Sequence, residues 1–151
     1  MQLSRFDVDT FLREAIEHVS VAAERAPVEI DVSPRGLHAV ADPARLRQVV
    51  INLVDNAIRH SPAGGRVWLQ ARREGSGLRL EVADDGPGIA AGERERVFQR
   101  FTRGATSDGG TGLGLAIARW AVELHSGSIE VMDNGMGCRI RVDIPDMREE
   151  S

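Results

Sequence analysis

Asp42-Pro43-Ala44-Arg45-Leu46-Arg47-Gln48-Val49-Val50-Ile51-Asn52-Leu53-Val54-Asp55-Asn56-Ala57-Ile58-Arg59-His60 is the stretch on which the reading of this chain turns. An aspartate followed by proline starts a helix well: the carboxylate takes up orphan N–H groups, and the proline ring has a helical φ and no N–H to lose. Leu46, Val50, Leu53, Val54 and Ala57 recur at helical spacing and predict a face turned to the core. A second stripe carries Arg45, Gln48, Asn52, Asp55, Asn56 and Arg59. Asn52 and Asn56 are one i,i+4 step apart and stack on one face. Asparagine inside a helix costs roughly 0.5 kcal/mol against alanine, so two on one face need a reason. A solvated polar face is one reason. A site is the other: an amide oxygen suits Mg²⁺, a hard cation, and Arg59, one turn on, can reach a phosphate.

On the N-terminal side, Phe11 to about Glu24 is expected to be helical, with Phe11, Leu12, Ala15, Ile16 and Val19 on one side and Asp9 or Thr10 as the cap. Val28 to Val32 alternates with period two and predicts a strand; Pro34-Arg35-Gly36 is a turn, and Leu37 to Ala41 is the return strand. On the C-terminal side, the long helix stops before Pro62 and Gly64-Gly65 turns the chain. Arg66 to Arg73 and Leu78 to Ala83 follow as two strands, joined as a hairpin through Glu74-Gly75-Ser76-Gly77. Asp84 to Ile89 is a loop, Glu93 to Phe101 holds a short helix, and Thr102 to Gly110 is a polar, glycine-rich mobile loop. Thr111 to His125 is a helix ended by Gly127. Ser128 to Met132 and Cys138 to Ile144 pair as a last hairpin around Asn134-Gly135, and the tail from Asp146 is frayed. Strand pairs alternating with helices, without the single-strand alternation of a doubly wound fold, predict an α/β domain with a mixed sheet and helices on one face.

The composition removes several function classes. The 151 residues are the size of one domain,. No run approaches the roughly 18 apolar residues of a membrane helix, and Met1 to Asp7 has no signal-peptide pattern. Cys138 is the only cysteine, so no internal disulfide can form and a reducing compartment is expected,. A net charge of −4 without a basic run argues against nucleic acid as a partner,. There is no lysine; all 19 basic residues are arginine. A P-loop and a serine/threonine-type kinase each need a lysine on the phosphates, so both designs are excluded. Phosphate contacts fall to arginine, backbone N–H groups or a metal. Tyrosine is absent as well, which removes it as a general acid or base.

Two glycine-punctuated stretches flank the later strands. Asp84-Asp85-Gly86-Pro87-Gly88-Ile89 follows an apolar strand; a carboxylate there can accept from an exocyclic amine while glycines let backbone approach a ligand, and a simple turn explains the same residues. Gly109-Gly110-Thr111-Gly112-Leu113-Gly114-Leu115 opens a helix, where exposed N–H groups make an anion site; a ligand-free hinge is the other reading. The dinucleotide fingerprint fails here, since its last glycine or alanine would fall on Leu115 or Ile117, and no strand directly precedes.

Taken in order, these stretches resemble the motifs of the ATP-binding catalytic domain of bacterial sensor histidine kinases. Asn52 to Ala57 resembles the N box, Asp84 to Ile89 the G1 box, Val97-Phe98-Gln99-Arg100-Phe101 the F box, and Gly110 to Leu115 the G2 box; the likeness runs from about Phe6 to Ile144. It implies a two-layer α/β sandwich of the Bergerat ATP-binding type, with a mixed, mostly antiparallel sheet, forming one domain over residues 1–151 with a core of about 6–145 and a tail of 146–151. ATP and Mg²⁺ are the implied cofactors. The resemblance implies that Asn56 ligates Mg²⁺, with Asn52 close to metal and phosphates, Arg59 on a phosphate and His60 lining the pocket. It implies that Asp84 reads the adenine amine, with Gly86, Gly88 and Ile89 beside it. The resemblance also implies that Phe101 joins the pocket, that Arg103 reaches the γ-phosphate from the lid, Thr102 to Gly109, and that Gly110, Thr111, Gly112, Leu113, Gly114 and Leu115 bind the nucleotide.

Family members carry the phosphoacceptor histidine on a separate helical hairpin, followed by an acidic residue. His18, His38, His60 and His125 are followed by Val19, Ala39, Ser61 and Ser126, so the acceptor is expected on another segment. The implied partners are that hairpin and, through the parent kinase, a response regulator. The parent is expected to be anchored in the cell membrane, with this piece monomeric on the cytoplasmic side. Related ATPases of the topoisomerase type keep a water-activating glutamate one turn before the metal asparagine; here Asn52 stands there, and an amide accepts no proton at neutral pH. A kinase domain is therefore the first reading, a hydrolase the second, and a nucleotide- or partner-binding module without catalysis the third.

Overall fold

Period-two alternation of Val, Ile and Leu with charged residues builds the centre of the molecule. The computed structural model describes residues 1–19, 27–60, 65–85, 114–132 and 138–146. In chain order the elements are β1 (Ser4–Asp7), α1 (Val8–Glu17), β2 (Val28–Ser33), β3 (His38–Ala41), α2 (Pro43–His60), β4 (Val67–Glu74), β5 (Gly77–Asp84), α3 (Gly114–Leu124), β6 (Ser128–Met132) and β7 (Cys138–Ile144). Five strands form one sheet in the order β2-β4-β5-β7-β6. β2 runs parallel to β4, and the remaining pairs are antiparallel.

Val67, Leu69, Ala71, Leu78, Leu80, Val82, Ile140, Val142 and Ile144 share one face of this sheet and are at most 3% exposed. The helices close over them. α1 contributes Val8, Phe11, Leu12 and Ala15, α2 contributes Leu46, Val50, Leu53, Val54 and Ala57, and α3 contributes Ala118, Ala121 and Val122, all in one core. The expected architecture, a mixed and mostly antiparallel sheet with helices on one face, is the one found.

Several local expectations give way. Leu37 to Ala41 does not return against Val28 to Val32. β3 pairs with β1 in a separate two-stranded sheet, with Phe6 opposite Ala39. β2 instead lies parallel to β4, with Val28 opposite Val67. Leu37 itself is buried; its N–H donates to the Pro34 carbonyl and its carbonyl accepts from Val8 N–H. That turn carries the chain away from β2. Because β1 leads straight into α1, the cap is Asp7, whose carboxylate accepts from Thr10 N–H at 2.9 Å, and not Asp9 or Thr10. α1 ends at Glu17, where the N–H groups of His18 and Val19 turn to carbonyls three residues back and close the helix; the expected continuation over 20–24 lies outside the described residues. At the end of α3 the left-handed residue is Ser126 (φ 59°). Gly127 is required for space: its N–H donates to the Val122 carbonyl, and a Cβ there would collide with the Asp143 carbonyl oxygen. The short helix expected at Glu93 to Phe101, the loop Thr102 to Gly110 and the turn at Asn134-Gly135 lie outside the described residues.

Asp42 caps α2 as expected. Its carboxylate accepts from Ala44 N–H (3.1 Å), Arg45 N–H (3.3 Å) and Gln2 N–H (3.0 Å). Burial works against this carboxylate, yet those backbone donors hold its pKa below the ordinary value,. The Asp42 N–H donates to Nε2 of His125, which is fully buried, and the Nδ1–H of His125 donates to the Ala121 carbonyl. The start of α2 is thereby pinned to the end of α3. Arg45 adds a second tie, with its guanidinium 4.8 Å from the centre of the Trp120 ring,.

The other face of the sheet is held by ion pairs. Glu81, 3% exposed, accepts from Arg139 Nη1 and Arg141 Nε, both at 2.7 Å. Arg79 donates through Nε to Asp143 at 2.7 Å. Burial opposes ionisation of Glu81, but the guanidiniums of Arg141 and Arg139 win and hold its pKa below 4.5. A carboxylate whose folded pKa lies below its unfolded value stabilises fully above the unfolded value and loses that contribution as pH falls through the folded one. Glu81→Gln should lower urea-derived stability at neutral pH by about 1–2 kcal/mol, less than a fully buried pair because both arginines keep some water contact. It should also flatten the decline of stability on acidification below pH 4.5. Parallel acid limbs for variant and wild type would show that Glu81 does not drive that decline.

Candidate functional site

α2 buries its apolar stripe against the sheet and turns its polar stripe along the start of α3. The second stripe is not simply solvated. Asn52 and Asn56 are half-buried, whereas Gln48 and Arg59 are exposed. Asn52 Nδ2 donates to the carbonyl of Gly114 at 2.9 Å, and Asn52 Oδ1 accepts from Gln48 Nε2 at 2.8 Å. A carbonyl has no proton to give, so the amide end facing Gly114 is the NH₂. Asn52 thus joins the middle of α2 to the first residue of α3. A Cβ placed on Gly114 would meet Asn52 at 3.9 Å, an ordinary contact, so packing against α2 does not demand glycine there. Leu115, next in line, packs against the core.

One turn further along α2, Arg59 is paired with Asp55 at 3.0 Å. Asp55 therefore acts on the seam by holding the guanidinium that was expected to reach a phosphate. His60 is the last residue of the helix.

The two aspartates after β5 separate cleanly. Asp84 continues the inward series Leu78, Leu80, Val82, is 5% exposed, and lies between Val67 on β4 and Cys138 on β7. Asp85 points the other way along the chain and accepts from Arg66 N–H at 3.1 Å, as a turn residue does. Of the two readings of this stretch, the simple turn describes Asp85, and a buried carboxylate at a strand end describes Asp84. Gly86, Gly88, Ile89, Phe101, Arg103, Gly110, Thr111, Gly112 and Leu113 lie outside the described residues.

Among the described residues no group of three or more His, Cys, Asp or Glu could hold a metal ion. The oxygen donors that α2 offers are the amides of Asn52 and Asn56 and the carboxylate of Asp55, which is paired with Arg59. That set suits Mg²⁺, which takes one or two protein oxygens and fills the rest of its shell from water and substrate phosphates. It does not suit a metal that needs a protein cage of imidazole or thiolate. Sequence reasoning had no role for Gln48 beyond its place in the stripe; its i,i+4 spacing to Asn52 was the available signal.

A five-stranded mixed sheet covered on one face, with an asparagine-bearing helix beside a glycine-led helix, defines an ATP-binding class. The chain belongs to the histidine kinase-, DNA gyrase B-, and HSP90-like ATPases, whose family model matches residues 41–148. It is 40% identical over 149 residues to the sensor-like histidine kinase SenX3 of Mycobacterium tuberculosis, covering 95% of this chain and 36% of that protein. The chain therefore spans about a third of the length of this relative. The catalytic domain of the histidine kinase ThkA superposes with a TM-score of 0.86 at 28% identity, covering 97% of each chain. The structure of ThkA in complex with the response regulator protein TrrA matches at a TM-score of 0.80 and 26% identity, over 95% of this chain and 42% of that one. ATP is thus the ligand class of this domain, and sensor histidine kinases are the proteins that it is similar to.

The Asn52–Gly114 bond gives a direct test of the seam. Asn52→Asp sets a carboxylate oxygen against a carbonyl oxygen and should cost about 1 kcal/mol in urea unfolding at neutral pH. Protonating the new carboxylate restores a donor, so the deficit should shrink in mild acid. A deficit that does not change with pH would mean that the bond to Gly114 is not what holds the helices together here.

Proposed function

We propose that the chain binds Mg-ATP and hands the γ-phosphoryl group to a histidine on a separate helical hairpin, within a two-component system. The observation that carries this reading is Asn52. It stands where the hydrolases that the motifs resemble keep a water-activating glutamate, yet it is an uncharged amide engaged at both ends, by Gln48 and by Gly114. An amide takes no proton at neutral pH. Water beside ATP held here finds no base in Asn52, and the phosphoryl group is offered to another nucleophile.

Each remaining residue then has a chemical task. Asp84, buried at the end of β5, accepts from the exocyclic amine of adenine and repels the carbonyl that guanine carries at that position. The amide oxygen of Asn56 would hold Mg²⁺, which would supply positive charge against that of the phosphates. Arg59 exchanges Asp55 for a phosphate, Arg103 adds a guanidinium at the γ-phosphate, and the N–H groups from Gly110 to Leu115 cradle the anion. Phosphoryl transfer of this kind depends on positioning and charge stabilisation more than on covalent help from the protein.

The acceptor lies outside this chain's own histidines. His125 is fully buried with both ring nitrogens occupied, and none of the others precedes an acidic residue. The hairpin belongs to the parent kinase, and the phosphoryl group passes from it to a response regulator; that ThkA forms a complex with such a protein supports this. Residues 1–151 act as one monomeric domain, on the cytoplasmic side of a membrane-anchored parent, where ATP is available. Among the described residues no helix is long and apolar enough to cross a membrane.

With γ-labelled ATP, the 151-residue chain should bind nucleotide, hydrolyse it slowly and leave itself unlabelled. Adding a hairpin with a histidine followed by an acidic residue should give labelled hairpin, weakly, because separate pieces lose the effective concentration of a linked pair. Fast hydrolysis by the chain alone would favour a hydrolase; tight binding without transfer would favour a binding module. Asp84→Asn should weaken ATP binding at least about tenfold, the loss of a hydrogen bond to a charged group, and narrow the preference over GTP. Unchanged ATP affinity in the folded variant would remove Asp84 from the adenine pocket.

A further inference from the structure

We infer that Gln48 is a positioning residue of the nucleotide site: it holds the Asn52 amide in the single orientation that ties α2 to the first turn of α3. This rests on the ATP-binding reading above and adds a residue to it. Gly114 sets the geometry. Its carbonyl can only accept, so Asn52 presents Nδ2 to it, at 2.9 Å. Asn52 Oδ1 then faces Gln48, which must present its own NH₂, at 2.8 Å. Both amide orientations follow from one carbonyl, with no freedom left.

A surface Gln–Asn pair at i,i+4 spacing is ordinarily worth a few tenths of a kcal/mol and nothing more. Here the pair continues across an interface to a backbone group with a second role. Gly114 begins α3, and the run Gly109-Gly110-Thr111-Gly112-Leu113 leads directly into it. The first N–H groups of a helix have no partner within it and are the groups that take an anion. The Gly114 carbonyl and the N–H of Leu115 share one peptide plane, so fixing the carbonyl fixes the direction of that N–H. Without a donor at position 48, the Asn52 amide loses one of its anchors. A half-turn about its last bond then sets lone pair against lone pair at Gly114. Gln48 reaches the ligand only through Asn52.

Two substitutions separate the need for a donor from the need for bulk. Gln48→Glu keeps the shape and removes the donor at neutral pH. Gln48→Arg sets Nε–H at the same number of bonds from the backbone as the amide nitrogen that it replaces. Calorimetric titration of the full chain with Mg²⁺ and a non-hydrolysable ATP analogue should give about fivefold weaker binding for Gln48→Glu, the loss of one neutral hydrogen bond. Gln48→Arg should stay within about twofold of wild type by the same measure. In an Asn52→Ala background, the uncharged Gln48→Met should have no further effect, because residues that act through one another are not additive. A purely structural role would instead multiply the two losses. Wild-type affinity for Gln48→Glu, multiplied losses in the double variant, or Gln48→Arg as weak as Gln48→Glu would each overturn the inference. Gln48→Met supplies the donor-free variant if Gln48→Glu does not fold. Exchange of the Asn52 side-chain NH₂ protons with water needs no nucleotide: slow exchange in wild type that speeds up in Gln48→Met supports the link, and fast exchange in wild type overturns it. A wild-type chain that binds no Mg-nucleotide yet keeps that slow exchange would overturn the ATP-binding reading alone.

Discussion

One helix has to satisfy two surfaces at once. The eighteen residues of α2 must bury Leu46, Val50, Leu53, Val54 and Ala57 against the core while keeping Asn52 in a seam beside the start of α3. A polar seam next to a helix–helix contact is stable only if its groups are satisfied, and that requirement dictates much of what surrounds it. The Asn52 amide finds Gly114 and Gln48. The cap residue Asp42 is pinned by three backbone donors and by His125 at the end of α3. Arg45 lies over Trp120. These contacts fix α3 along α2 at two places, its first residue and its last turn, so the polar stripe keeps a defined neighbour.

The absence of lysine shapes the rest of the molecule as much as the site. On the open face of the sheet, Glu81 accepts from two guanidiniums and Asp143 from a third, with distances of 2.7 Å. A planar guanidinium spans neighbouring strands and donates along its edge, which a lysine ammonium on a flexible stem does less well. The pairs follow the ladder: Glu81 lies opposite Arg141 and diagonal to Arg139, and Arg79 lies opposite Asp143. They let a strand keep a buried carboxylate on the face that the helices leave uncovered.

Residues with strong, local reasons for their structure were legible in the sequence. Asp42-Pro43 marked the start of α2, its apolar spacing marked its buried face, and the strands β4, β5 and β7 were placed within a residue or two of their observed bounds. The four motifs, read together, gave the family. What stayed hidden depends on partners distant in sequence. Ser4 to Asp7 has no alternation of its own and becomes a strand only because His38 to Ala41 is beside it, which in turn frees β2 to lie parallel to β4. Ser126 takes the left-handed turn after α3, and Gly127 is needed because the Asp143 carbonyl comes too close for a side chain. At the site, the i,i+4 pair Gln48 and Asn52 was visible, but the carbonyl that orients them lies on another helix.

The strand order also bears on how the chain reaches this state. β4 with β5 and β6 with β7 are neighbours in sequence and close quickly as hairpins. The seam between β5 and β7 joins those halves across everything from Asp85 to Gly137, and Asp84 opposite Cys138 is its far end. Closing a long loop must precede any gain from the contacts that it brings together. The buried carboxylate of Asp84 is therefore enclosed only by the pairing that spans the longest stretch of chain in the sheet, and a partly folded chain that already has both hairpins would still leave it open,.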